Sequence, residues 1–203
     1  MKNVILAACA ATLLAVPVIA RAQAAPTEKL EISAFAINMS TTSSIRNAMT
    51  MQFTVNSWST PEEREDLITV MLEKGPNDLL KALQKKPVKG RFNIPGLSGP
   101  DPHNLRLGHD IRYAWEVPLP DGGRRITLIT DRYIGFQEAR GAARSMDYPF
   151  TLVQFQVDAK GEGQGKFAVA TKISFDKAAK QIELENWGSE PVRLNNVKVK
   201  VKK

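Results

Sequence analysis

The sequence has very little cysteine. Cys9 is the only cysteine among 203 residues, and it lies in an apolar N-terminal stretch that we expect to be removed as an export signal. A mature chain without cysteine has no disulfide, no thiol nucleophile and no thiolate metal ligand. It must therefore be held together by its apolar core, and about 180 residues are ample for one domain of this kind.

The N-terminal stretch has the parts of a secretory signal peptide. Lys2 supplies the positive charge, and the run from Val4 to Ile19 is almost wholly apolar. Small residues then provide two signal peptidase sites, so we predict cleavage after Ala22 or Ala24 and a periplasmic or secreted protein. A lipoprotein signal ending at Cys9 is the alternative, but it leaves few apolar residues before the cut. Later segments lack an apolar run of this length, so we predict no transmembrane segment after cleavage.

Positive charge is concentrated at one end of the chain. The formal net charge of +7 falls to +5 when Lys2 and Arg21 leave with the signal. Four of the remaining cations lie at the extreme C-terminus, at Lys198, Lys200, Lys202 and Lys203. Aromatic residues do not interleave with them, which argues against nucleic-acid binding. We interpret the lysines as protection of an edge strand against pairing with other chains, with contact to an anionic envelope surface as a lesser alternative.

Turn and capping signals predict the fold class. Pro120-Asp121-Gly122-Gly123 lies between alternating apolar segments and predicts a β-hairpin over Leu105–Arg132. Thr60-Pro61-Glu62-Glu63 predicts a helix start with a capping box, and a helical hairpin over residues 60–86. Later turn signals recur about every 10–12 residues. With residues 1–24 as the signal, residues 25–203 are predicted to form a single α+β domain. This is a mainly antiparallel β sandwich or open barrel of about eight strands, with the helical hairpin packed on it.

A glycine-rich stretch, Gly161-Glu162-Gly163-Gln164-Gly165-Lys166, has some likeness to a phosphate-binding loop. Its spacing is wrong, because that motif has four residues between its first glycine and the Gly-Lys pair. Phe167 stands where serine or threonine should hold magnesium, and a strand follows where a helix is required. We therefore interpret the stretch as a hairpin turn.

Histidine is also scarce. His103 and His109 are the only two, and each has an aspartate nearby. His103, His109 and Asp110 could provide a metal site with an open position, which would suit a metal-assisted hydrolase. The two histidines fall in a loop running into a strand, so no helical or strand period brings them together. Exposed or capping histidines are the commoner case, and we predict no cofactor.

Arginines cluster in one third of the chain. Guanidinium groups suit carboxylate or phosphate ligands. An anion-binding rim at one end of the sheet is therefore predicted from Arg112, Arg124, Arg132, Arg140 and Arg144. The alternative is pairing within the protein, which is the commoner arrangement for surface arginines. Its acidic partners would be Glu116, Asp131, Glu138 and Asp147.

Several stretches together resemble a family of exported bacterial proteins of unknown function. They are Asn56–Arg64, Pro118–Ile126, Thr130–Arg132, Asp147–Phe150 and Glu183–Asn186. The resemblance implies export and a single domain, and it brings no activity, cofactor or catalytic residue. We therefore expect an exported non-catalytic protein that binds a small anionic ligand or an envelope partner. The alternatives are the metal-assisted hydrolase with His103 and His109, and a purely structural envelope protein.

Overall fold

The computed structural model describes residues 26–37, 48–95, 108–132, 150–169, 173–176, 181–184 and 192–202. The predicted signal peptide, residues 1–24, lies outside these residues. The elements in chain order are β1 (Leu30–Ile37), β2 (Ala48–Val55), α1 (Pro61–Lys74), α2 (Pro76–Lys85), β3 (Gly90–Asn93), β4 (His109–Pro118), β5 (Arg124–Thr130), β6 (Thr151–Val157), β7 (Glu162–Val169), β8 (Ile173–Asp176), β9 (Gln181–Leu184) and β10 (Val192–Val201).

Eight antiparallel strands close into a barrel. Each strand from β1 to β6 pairs with the strand that follows it, and β10 completes the ring by pairing with both β7 and β1. This neighbour order is that of an up-and-down barrel. The predicted α+β class and the eight-stranded antiparallel barrel are confirmed, and the sheet is closed, not an open barrel or a sandwich. Strands β8 and β9 form a separate two-stranded sheet.

The edge-strand interpretation of the C-terminal lysines is wrong for Lys198. For the lysines after it the interpretation stays a prediction, because the pairing of β10 with β7 ends at Lys198, whereas its pairing with β1 continues to Val201. In β10, Lys198 lies opposite Ser33 of β1 on one side and Glu162 of β7 on the other. A strand with hydrogen-bonded neighbours on both sides has no edge to protect. Whether a strand is an edge depends on closure of the whole ring, which local sequence does not determine.

Aromatic side chains fill the barrel interior. The Phe53 ring stacks on Phe92 with centroids 4.9 Å apart, and it meets the Phe155 ring edge-on at 5.1 Å. Phe167 lies 5.6 Å from Phe92 and closes the cluster. All four rings are buried, so the interior is a packed core.

Strand β7 fits beside these rings because it contains glycine. A Cβ added at Gly165 would lie 2.8 Å from a ring carbon of Phe155, and one at Gly163 would lie 2.1 Å from the carbonyl oxygen of Gln156. The glycine-rich stretch is therefore mostly strand. The turn between β6 and β7 is confined to residues 158–161. The prediction of a turn is therefore wrong for residues 162–166, which belong to strand β7.

The two helices lie where the capping signals predict. The Thr60 hydroxyl accepts a hydrogen bond from the Glu63 amide at 3.2 Å, and the Glu63 carboxylate accepts one from the Thr60 amide at 3.0 Å. Pro61 occupies the first turn, and Gly75 separates α1 from α2 with φ of 84°. A second apolar cluster joins the helices to the outer wall of β4, β5 and β6; it contains Leu67, Leu79, Leu83, Tyr113, Ile129, Phe150 and Leu152.

The barrel has two distinguishable ends. The turn end carries the tight turns at residues 119–123 and 158–161, between β4 and β5 and between β6 and β7. At the opposite end β5 finishes at Thr130 and β6 begins at Thr151, where the Thr130 hydroxyl accepts a hydrogen bond from the Thr151 amide at 3.1 Å. The charged residues are located below by the end of the barrel at which they lie.

Candidate functional site

The three described arginines of the predicted rim do not come together. Arg124 begins β5 at the turn end, whereas Arg132 follows that strand at the opposite end. The six residue steps of β5 from Arg124 to Thr130 alone span about 20 Å. Arg112 lies near Arg132, since both contact Asp131. The prediction of one anion-binding rim at one end of the sheet is therefore wrong for these three arginines, because strand β5 places Arg124 and Arg132 at opposite ends of the barrel. Arg140 and Arg144 lie outside the described residues.

Arg112 ties three parts of the fold together. Its Nε is 2.9 Å from an oxygen of Asp131, which follows β5. Its Nη1 donates to the carbonyl of Lys86 at the end of α2, at 3.0 Å, and its Nη2 is 3.4 Å from Asp110 in β4. The guanidinium thus has acceptors on several sides, and its geometry is that of a structural clamp.

Arg124 makes a comparable contact at the turn end. Its Nη1 is 3.2 Å from Glu116 on β4 and 3.8 Å from Glu28, which precedes β1. Burial raises the pKa of Glu116, and the positive charge of Arg124 acts in the opposite direction. Arg112 and Arg124 therefore both contact acids that the pairing interpretation had named.

The described part of the predicted metal site does not converge. The His109 ring is buried and stacks near Phe92 with centroids 5.8 Å apart. Asp110 is the next residue in β4, so its side chain faces the other way, where Arg91 and Arg112 hold it at 3.4 Å each. His103 lies outside the described residues. Within the described part of the chain, no three His, Cys, Asp or Glu side chains are grouped for a metal ion.

A small cavity lies between the helices and the barrel wall. Its volume is about 10 Å³, and its lining includes Leu67, Leu83 and Ile129. That volume is about the minimum for one water molecule and far below the size of a ligand pocket. Tyr113 also lines it, and burial raises the pKa of this phenol. The cavity therefore provides no ligand site.

The C-terminal lysines belong to a basic surface that was not predicted from the sequence. We define the basic face as the exposed cations that β7 and β10, together with the residue after β10, present on the outer wall: Lys166, Arg193, Lys198, Lys200 and Lys202. In the ring of strands β10 lies four places from β4, on the wall away from the helices. Glu31 and Glu162 are the exposed acids next to it. The alternation of valine and lysine after Asn196 is the sequence signal for this face.

Comparison with protein-family models, curated proteins and solved structures finds no match. The resemblance to exported bacterial proteins therefore stays a prediction from the sequence. In the described segments, neither helix has the length and apolar character needed to cross a bilayer. The geometry of the described residues is accordingly the basis for the proposals that follow.

Proposed function

We propose that the protein is exported, has no catalytic activity, and binds an anionic partner of the cell envelope through its basic face. The observation that carries this proposal is the position of β10. This strand is paired on both sides as far as Lys198 and with β1 as far as Val201, and it presents exposed lysines at 198 and 200, with Lys202 following it. Lys202 lies 3.8 Å from the Glu31 carboxylate, and all three lysines are exposed, so their charges can still contact negative charge on a partner.

The other surfaces of the barrel support recognition less well. The interior is filled by phenylalanine, and the α1–α2 pair, acting as one helical hairpin, covers the wall of β4 to β6. Arg112 and Arg124 are engaged by acids of the protein, so a small anion would have to displace Asp131 or Glu116. A surface partner is therefore favoured over a small anionic ligand.

The experiment reverses charge on the basic face and compares it with the same change elsewhere. The test variant carries Lys198→Glu, Lys200→Glu and Lys202→Glu. The control carries Lys74→Glu, Lys81→Glu and Lys85→Glu, three exposed helix lysines. Both are assayed for binding to dextran sulfate and to phosphatidylglycerol vesicles, after circular dichroism has established that they fold.

We expect the test variant to bind at least one of these probes about a hundredfold more weakly than the parent, since each lysine near an anionic surface contributes about 1 kcal/mol. The control should bind like the parent, and added salt should weaken parent binding. Equal binding of test variant and parent, or no binding by the parent, would overturn the proposal.

Export is tested separately by mass spectrometry. The protein recovered from the periplasm of a bacterial host should begin at Gln23 or Ala25, as cleavage after Ala22 or Ala24 requires. Recovery of only the uncleaved chain from the cytosol would contradict export. This form of the protein, after export, is the one to use in the binding assays.

A further inference from the structure

We infer that the partner of the basic face is an anionic lipid bilayer, and that Phe35 is the side chain that enters its interfacial region. This inference rests on the proposed function and names the partner. It starts from the position of Phe35 in β1. Ala34 and Ala36 on either side are buried toward the interior, whereas Phe35 is 40% exposed on the outer wall.

Cations flank Phe35 on the neighbouring strand. Phe35 lies opposite Asn195 of β10, and the pairs on either side of it are Ser33 with Lys198 and Ile37 with Arg193. Side chains at such diagonal positions are about 7–8 Å apart at their backbones, within reach of long side chains. The aromatic ring therefore projects from the same wall as two cations.

The positive charge extends beyond β10 at the end of the wall nearest Ile37. Arg193 lies opposite Lys166 of β7, and both are exposed. The acids bordering the face, Glu31 and Glu162, lie toward the turn end instead. The half of the wall that includes Phe35 is thus the more basic half.

The backbone beside Phe35 is irregular. The register of β10 against β7 shifts between Leu194 and Val197, and Asn196 has a positive φ of 50°. The pairing of β1 with β10 also shifts between Ser33 and Phe35. Bulges of this kind bend a strand and redirect the side chains next to it. The irregularity therefore coincides with the exposed ring.

The chemistry of this wall favours a bilayer over an anionic polysaccharide. A polyanion chain offers partners for lysine and arginine but no apolar layer for an exposed phenylalanine. An anionic bilayer offers both, because its headgroup phosphates attract cations while the region just beneath accepts aromatic rings. A surface that combines cations with a protruding aromatic residue fits that partner.

The test measures cosedimentation with phosphatidylcholine vesicles that either contain or lack phosphatidylglycerol. Phe35→Ser is compared with Leu72→Ser, which removes a comparably exposed apolar side chain from α1. We expect the parent to bind only the anionic vesicles, Phe35→Ser to bind them about tenfold more weakly, and Leu72→Ser to bind like the parent. Binding of dextran sulfate should not change in Phe35→Ser, because that probe needs only charge.

Insertion of the ring is measured directly with Phe35→Trp. Its emission, taken as the difference from the parent, should shift to shorter wavelength with anionic vesicles and remain unchanged with phosphatidylcholine alone. If Phe35→Ser binds anionic vesicles like the parent while the triple lysine reversal loses binding, this inference fails and the proposed function stands. If the triple reversal also binds like the parent, both fail.

Discussion

Replacing Lys89 by methionine is expected to destabilise the fold by about 2 kcal/mol. The Lys89 side chain is 6% exposed, and its Nζ lies 2.7 Å from the Glu63 carboxylate, which is 20% exposed. Methionine keeps most of the volume and removes the positive charge. Glu63 would then remain largely buried beside the helix start without its cation.

The magnitude follows from the burial of the pair. Breaking a fully buried ion pair costs about 3–5 kcal/mol, and loss of an exposed pair costs about 0–1 kcal/mol. Lys89 is buried as in the first kind of pair, but Glu63 is partly solvated, so the expected loss lies between the two ranges. The capping bonds between Glu63 and Thr60 remain in the variant, which also limits the loss. An intermediate value of about 2 kcal/mol is therefore expected.

The chain offers a matched control in Lys86→Met. Lys86 pairs with Asp66 at 2.6 Å, but Asp66 is 57% exposed. Urea unfolding followed by circular dichroism gives the free energy of unfolding for both variants. We expect Lys86→Met to cost less than about 1 kcal/mol. Equal losses in the two variants, or no loss in Lys89→Met, would refute the argument from burial.

Two further predictions concern the same charged groups. Burial acts to raise the pKa of Glu63, but hydrogen bonds from Lys89 and the Thr60 amide, together with nearby positive charge, lower it overall. A lowered pKa in the folded state stabilises the protein above the unfolded value of about 4.5, and this contribution disappears as pH falls through the folded pKa. The stability difference between parent and Lys89→Met should therefore shrink on acidification below that value; a constant difference in urea unfolding would contradict it. Arg112→Met should lower the free energy of unfolding by about 2–4 kcal/mol, because it leaves the buried Asp131 carboxylate without its closest cation. Arg132→Ala removes a side chain that is 56% exposed and should lower it by less than about 0.5 kcal/mol. Equal losses of stability in the two variants on thermal unfolding would contradict the structural role of Arg112.

Local signals predicted the elements whose structure is decided locally. The capping box at Thr60 and the turn at residues 119–123 each lie within a few residues of sequence, and the structure has both where expected. Such motifs satisfy backbone hydrogen bonds through their own neighbours, so distant parts of the chain have little influence on them. The α+β class followed from the same signals.

Features that depend on distant parts of the chain were not predictable in the same way. Arg112 reaches Asp131 and the Lys86 carbonyl at a point where the register of β4 and β5 shifts between Ile111 and Tyr113. Nothing in the local sequence specifies that bulge. The strand conformation around Gly165 likewise depends on the Phe155 ring across the ladder, so the glycines alone suggested a turn.

The outer wall of the barrel does not present the same kind of side chain on every strand. Strands β2 and β6 face solvent on parts of the same closed sheet, and they present uncharged polar residues there: Thr50, Gln52, Gln154 and Gln156. Neutral polar side chains of this kind can face solvent on the outer wall, and they avoid repulsion between like charges on one face of a strand. Strand β10 instead places exposed lysines at 198 and 200, and only the first of them lies where the strand is paired on both sides. The charge reversal at Lys198, Lys200 and Lys202 measures whether these charges contribute to binding of a negatively charged partner.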